Sequence, residues 1–170
     1  MSRVTLITGG AASGKSRYAC ERAGACGPNV IFIATCVPRD DEMREKVRRH
    51  REARPGTWRT EERARNVAGA LSPACDAAIV DCLTLLVSQF LVEGAAERDI
   101  LAEVESIFEP PPCPLFVVTN EVGWGIVPES PLGRRFRELA GRVNGLAARR
   151  ADEVVLMVSG LPVRIKGVER

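Results

Sequence analysis

Three observations predict an α/β fold with a mostly parallel sheet flanked by helices. The first is Gly9-Gly10-Ala11-Ala12-Ser13-Gly14-Lys15-Ser16, directly behind the apolar stretch Val4-Thr5-Leu6-Ile7. This is the G-x-x-x-x-G-K-[ST] pattern of a phosphate-binding P-loop. The second is the alternation of short apolar runs with helical patterns along the chain. The third is that runs such as Val30-Ile31-Phe32-Ile33 are continuous, as strands covered on both faces require. The P-loop pattern arises by accident in roughly one in a hundred chains of this length, and its strand-loop-helix setting makes chance a poorer account still.

Residues 4–8 read as the first strand and 15–26 as the helix leaving the P-loop, stopped by Gly27-Pro28. Residues 29–34 form the second strand, followed by a loop over 35–40 that contains Pro38. Residues 41–54 read as a strongly charged helix, with acids at its start and Pro55 just past its end. On it Met43, Val47, His50 and Arg54 fall at helical spacing on one stripe, which points His50 inward. After Pro55-Gly56-Thr57-Trp58, residues 59–62 are expected to open a further helix ending near Leu71. Residues 77–81 form a third strand tipped by Asp81; 83–93 and 97–108 are helices; 115–120 is a fourth strand. A Gly/Pro-rich loop (121–131), a long helix (132–151) and a fifth strand (153–158) follow. Gly160-Leu161-Pro162 then turns the chain into an antiparallel edge strand over 163–166.

At 170 residues the chain is expected to form one catalytic domain, 1–170. A net charge of +2 gives no electrostatic case for nucleic acid or a membrane surface, and no apolar run reaches the length of a membrane span. The six cysteines show no metal-ligand spacing. They are expected to be buried or half-buried thiols in a cytoplasmic protein.

The chemistry follows from the loop. Its glycines allow positive φ and close approach to a phosphate; the backbone N–H groups and the helix start attract the anion. Lys15 reaches the β- and γ-phosphates, and Ser16 is a Mg²⁺ ligand. Asp81 resembles the acid that holds Mg²⁺ from a neighbouring strand. Ligands in such sheets sit beyond the carboxyl ends of the strands, which gathers the P-loop, Thr35, Asp81 and Asn120-Glu121 at one rim. His50, the single histidine, reads either as a packed, hydrogen-bonded side chain or as a nucleophile towards phosphorus. Arg49, Arg51 and Arg54 beside it suit phosphates or solvent equally. Trp124 can stack on a planar ligand or fill a gap between subunits.

Taken together, these motifs resemble the bifunctional adenosylcobinamide kinase/adenosylcobinamide-phosphate guanylyltransferase family of cobalamin biosynthesis. The resemblance runs from the first strand to Lys166. Its most particular segments are 41–62 and Thr119-Asn120-Glu121-Val122-Gly123-Trp124-Gly125-Ile126-Val127-Pro128. It implies a RecA-like P-loop NTPase fold and two reactions. ATP or GTP phosphorylates adenosylcobinamide; GTP then guanylylates a histidine, and the GMP passes to adenosylcobinamide phosphate. The family's histidine nucleophile corresponds to His50. Its nucleotide contacts correspond to Gly9, Gly10, Ala11, Ala12, Ser13, Gly14, Lys15, Ser16, Ala34, Thr35, Cys36, Arg51, Glu52, Ala53, Arg54, Glu62 and Asp81. The resemblance also implies a homotrimer. The chain departs from the family pattern at Arg49, where a second histidine is usual. Two rival readings stand beside this one: a P-loop small-molecule kinase without guanylyl transfer, and a non-catalytic RecA-like nucleotide sensor.

Overall fold

The computed structural model describes residues 3–36, 41–52 and 54–167, with the side chains of all these except Glu42, Met43, Lys46 and His50. In chain order the elements are β1 (Val4–Gly9), α1 (Lys15–Gly24), β2 (Val30–Ala34), α2 (Asp41–Glu52), β3 (Arg59–Glu62), a 3-10 turn (Ala68–Ala70) and β4 (Ala77–Asp81). They continue with α3 (Leu83–Val92), α4 (Glu97–Ile107), β5 (Leu115–Val118), α5 (Pro131–Arg150), β6 (Glu153–Val158) and β7 (Leu161–Lys166). The strands form one sheet in the order β3-β2-β4-β5-β1-β6-β7. Every pairing is parallel except that of β6 with β7. The α/β class, the parallel sheet and the antiparallel C-terminal edge are as expected from the sequence.

The continuous apolar runs are explained by two cores, one on each face of the sheet. Leu6, Ile31, Ile33, Ala78, Val80, Leu115 and Val117 point to one side, where α3, α4 and α5 pack with Leu86, Ile100 and Val143. Ile7, Phe32, Ile79, Phe116 and Val155 point to the other, against Ala19 and Ala23 of α1. Period-2 alternation sends neighbouring residues to opposite faces, so a strand covered on both must be apolar throughout. Burying each such side chain contributes about 1.5–3 kcal/mol. Helix α5 begins with Pro131 after the N-cap Ser130, whose hydroxyl accepts a bond from the Gly133 N–H at 3.0 Å.

The stretch 59–62 departs from expectation. It is a parallel edge strand, not the start of a helix, pairing Ile31 with Arg59 through to Ala34 with Glu62. The outer edge of β2 would otherwise present unpaired backbone groups, and β3 supplies their partners. Its charges also alternate with strand period: Arg59 and Arg63 both pair with Glu61, each at 2.8 Å. The 3-10 turn is all the helix that 63–71 contains. The other boundaries agree or differ by at most two residues: α2 stops at Glu52, so Arg54 lies beyond it. The loop residues 37–40, Pro38 included, lie outside the described residues. Cys82 and Cys113 are buried and Cys20, Cys36 and Cys75 half-buried as expected, whereas Cys26 is exposed.

At the amino ends of β1 and β6 the fully buried Glu153 carboxylate collects Arg164 Nε at 3.0 Å, Arg22 Nη2 at 3.3 Å, Thr5 Oγ1 at 3.2 Å and Arg3 Nη2 at 3.7 Å. Burial pushes this carboxyl up. Arg22, Arg164, Arg3 and Thr5 outweigh that and hold it below the ordinary value. A depressed folded-state pKa gives stability that is present above the unfolded value, about 4.3, and lost as pH falls through the folded one. Urea unfolding of wild type and Glu153→Gln is therefore expected to show a wild-type advantage at pH 6 that shrinks towards pH 3. An advantage independent of pH would contradict this.

Candidate active site

The P-loop joins the tip of β1 to α1, and its backbone explains its glycines. Gly9 has φ +141°, and a Cβ there would lie 2.5 Å from the Met157 carbonyl oxygen on β6. Gly14 has φ +92° and Ala12 φ +55°, so left-handed residues curl the loop into the form from which N–H groups converge on an anion. Helix α1 has Gly14 as its N-cap, with no side-chain cap and no acid in its first turn. Its leading donors are thus left to a ligand.

Lys15 is buried at 6% exposure. Its Nζ donates to the Gly10 carbonyl at 2.5 Å and to Ser13 Oγ at 3.4 Å. Burial draws its pKa below the ordinary lysine value, opposed by Cys82 and Asp81. A buried ammonium of this kind is stabilised by a nearby negative charge. Strand β5 lies between β1 and β4, so two strand spacings, about 10 Å, separate the tip of β1 from Asp81. The Asp81 charge nonetheless reaches both Lys15 and Arg54. Arg54 is half-buried with its guanidinium 3.3 Å from the Phe32 ring centroid, and its Nη1 donates to Thr60 Oγ1 at 3.3 Å. Burial lowers its pKa, with Cys20 and Asp81 acting in the opposite direction.

Ser16 and Asp81 offer hard oxygen donors of the kind Mg²⁺ takes together with phosphate oxygens and water. Among the described residues no group of three His, Cys, Asp or Glu side chains could hold a metal by itself.

A second layer fixes the strand tips. Thr35 Oγ1 donates to the Cys82 carbonyl at 2.7 Å and accepts from the Cys82 N–H at 2.8 Å, locking β2 to β4. Across β5, Thr119 Oγ1 donates to Asn144 Oδ1 at 2.7 Å, and Asn144 Nδ2 donates to the Asn120 carbonyl at 3.0 Å and Glu121 Oε1 at 3.1 Å. Thr8 Oγ1 also donates to Glu121 Oε1, at 2.6 Å, and the Glu121 N–H donates to the Gly9 carbonyl at 3.0 Å. Beyond this network the loop is pinned to α5, where Arg137 donates to the Gly123 carbonyl and Arg134 to the Pro128 carbonyl. The turn between β6 and β7 closes the other side, with the Gly160 N–H donating to the Ser13 carbonyl at 3.1 Å.

A model of the family described as cobinamide kinase / cobinamide phosphate guanyltransferase matches residues 5–165. The chain belongs to this family. It is 42% identical over 180 residues to the bifunctional adenosylcobalamin biosynthesis protein CobU of Salmonella typhimurium, covering 95% of this chain and 98% of that one. It is 38% identical over 168 residues to the bifunctional adenosylcobalamin biosynthesis protein CobP of Pseudomonas aeruginosa, covering 95% and 96%. Among solved structures, the P4 protein from bacteriophage phi6 in complex with ADP covers 95% of this chain with 52% of its own, at 18% identity and a TM-score of 0.48. That likeness is too loose to carry any argument.

Of the positions the family resemblance marks, the structure places residues 9–16, Ala34, Thr35, Cys36 and Asp81 along the carboxyl ends of the strands, with Arg54 over Phe32 of β2. Glu62 ends β3, beside Ala34 but at the far edge of the sheet and exposed. Arg51 and Glu52 are exposed in the last turn of α2, and Ala53 lies outside the described residues. His50 belongs to the same last turn of α2, and its side chain is outside the description. Among the described residues no other element packs extensively on α2. Its charges are satisfied along the helix instead: Arg48 pairs with Glu45 and with Glu52, both at 2.6 Å. Sequence reasoning missed the Asn144 and Thr8 anchors of the rim. Asn144 falls on the buried stripe of α5 between Ala140 and Ala147, and an amide on an apolar stripe is the signal that could have found it.

Proposed function

We propose that this chain phosphorylates adenosylcobinamide with ATP or GTP and then guanylylates adenosylcobinamide phosphate through His50, giving adenosylcobinamide-GDP. The observation that carries this reading is the family match over residues 5–165, which takes in both the P-loop and the histidine helix. In the first reaction the aminopropanol hydroxyl attacks the γ-phosphorus, and the nucleoside diphosphate leaves as its bridging bond to that phosphorus breaks. Lys15 and the loop N–H groups hold the β- and γ-phosphates while negative charge gathers on the leaving oxygens. In the second, a His50 ring nitrogen attacks the α-phosphorus of GTP and pyrophosphate departs. The phosphate of adenosylcobinamide phosphate then displaces the imidazole, which splits one difficult substitution into two easier ones. Mg²⁺ held by Ser16 and Asp81 would offset the charge on the departing phosphates. Arg54, half-buried within reach of Asp81, is suited to hold an anion on the α2 side of the rim.

The same reading makes the protein a single catalytic domain that works as a homotrimer. Every residue of β7 is exposed in the single chain, and α2 packs on little within it, as surfaces awaiting other subunits do. The six free thiols support a reducing compartment, the cytoplasm, as part of this reading. No helix among the described residues is long and apolar enough to cross a membrane.

Incubation with adenosylcobinamide, Mg²⁺ and ATP is expected to add one phosphoryl group to the corrinoid, and further GTP to convert it to adenosylcobinamide-GDP, both read by mass spectrometry. No product with either nucleotide overturns the reading. Arg49, in place of a second histidine, favours a kinase-only alternative, and a reaction that halts at adenosylcobinamide phosphate would select it.

A further inference from the structure

We propose that Glu121, held at the P-loop rim by Thr8 and Asn144, is the general base that takes the proton from the hydroxyl being phosphorylated. This rests on the kinase reading above.

Among the described residues, Glu62, Asp81 and Glu121 carry carboxylates at the carboxyl ends of the strands. The sheet order puts β3, carrying Glu62, four strand steps from β1, about 19 Å. Asp81 is two steps away, and its charge is directed at Lys15 and Arg54. Glu121 follows β5, the immediate neighbour of β1, and its own N–H bonds the carbonyl of Gly9, the first residue of the P-loop. It is therefore the carboxylate next to the phosphate cradle.

Its side chain is oriented for the task. Both donors, Thr8 Oγ1 at 2.6 Å and Asn144 Nδ2 at 3.1 Å, bond the same oxygen, Oε1. Oε2 has no hydrogen-bond partner among the described residues, and no buried side-chain oxygen or nitrogen among them lacks one. Oε2 thus keeps some exposure, with the carboxylate clamped by its other oxygen. Two rigid donors on one side and a free lone pair on the other is the arrangement a positioned base requires.

The step balances. The hydroxyl oxygen forms its bond to the γ-phosphorus as the bond from that phosphorus to the β,γ-bridging oxygen breaks. The hydroxyl proton moves to Glu121 Oε2, the nucleoside diphosphate leaves with the electron pair, and the proton passes to water once the phosphorylated product departs. Guanylylation of His50 releases no substrate hydroxyl proton, so it does not need this base.

In the full-length protein, Glu121→Gln is expected to lower the kinase kcat about 10²–10⁴-fold, with the KM for nucleotide within about threefold of wild type. Labelling of the protein by α-labelled GTP is expected to be unchanged. Formate added to Glu121→Ala is expected to restore part of the kinase rate, and the wild-type kcat to fall with unit slope towards acid. A Glu121→Gln kinase rate within threefold of wild type overturns the proposal, as does kinase and labelling falling together without rescue by formate. Should the variants fail to fold, a wild-type kcat without an acid limb overturns it equally. Failure of the kinase reading itself shows separately, as wild-type protein that forms no adenosylcobinamide phosphate.

Discussion

His50→Ala is expected to lower transfer of label from α-labelled GTP to the protein by about 10³-fold or more, while phosphorylation of adenosylcobinamide stays within about threefold of wild type. Removing a nucleophile leaves no covalent route, so the loss should resemble that seen when a catalytic nucleophile is deleted elsewhere. The kinase step should survive because its attacker is the substrate hydroxyl, and because α2 packs on little else among the described residues. The label on wild-type protein should be acid-labile and base-stable, as a phosphoramidate is. Undiminished label on His50→Ala would sink the transferase assignment and leave the histidine a structural role.

Lys15→Ala is expected to do the opposite and impair both reactions together, each by about 10²–10³-fold, the effect of deleting one preorganised charge donor. Lys15 Nζ sits at the centre of the loop, between the Gly10 carbonyl and Ser13 Oγ, where either reaction must place the β- and γ-phosphates. Its burial makes the loss uncompensated, since water reaches the position poorly. Kinetics of both half-reactions with each nucleotide will decide. A variant that loses only the kinase step would mean that GTP binds for guanylylation outside this loop. The pair of variants thus separates shared scaffolding from the chemistry special to one reaction.

Several elements were legible before any coordinates. The P-loop declared itself because Gly9 and Gly14, at fixed spacing, take positive φ values that favour glycine. The doubly covered strands showed as unbroken apolar runs, and α5 announced its start with Ser130-Pro131. The stretch 59–62 was misread because its helix-compatible Arg and Glu carry little local preference. What settles it is an open edge on β2, which lies far away in sequence. The paired charges at Arg59, Glu61 and Arg63 were the one local sign of a strand.

The candidate site divides the same way. Asp81 was recognisable as an acid at a strand tip, but its separation from β1 by β5 is a property of strand order alone. The role of Arg54 needed the Phe32 ring beneath it, a contact between a residue beyond α2 and the second strand. The anchoring of Glu121 needed Thr8 and Gly9 of β1 and Asn144 of α5 brought to one place.

By itself, then, the sequence determined a P-loop, on which residues and behind which strand, since backbone conformation and hydrophobic period are local properties written in neighbouring residues. Only the tertiary structure decided that Glu121 is the carboxylate beside Gly9 of the loop. That depends on the order in which parallel strands pair, and pairing is settled by burial on both faces of the sheet, not by any residue's own preference.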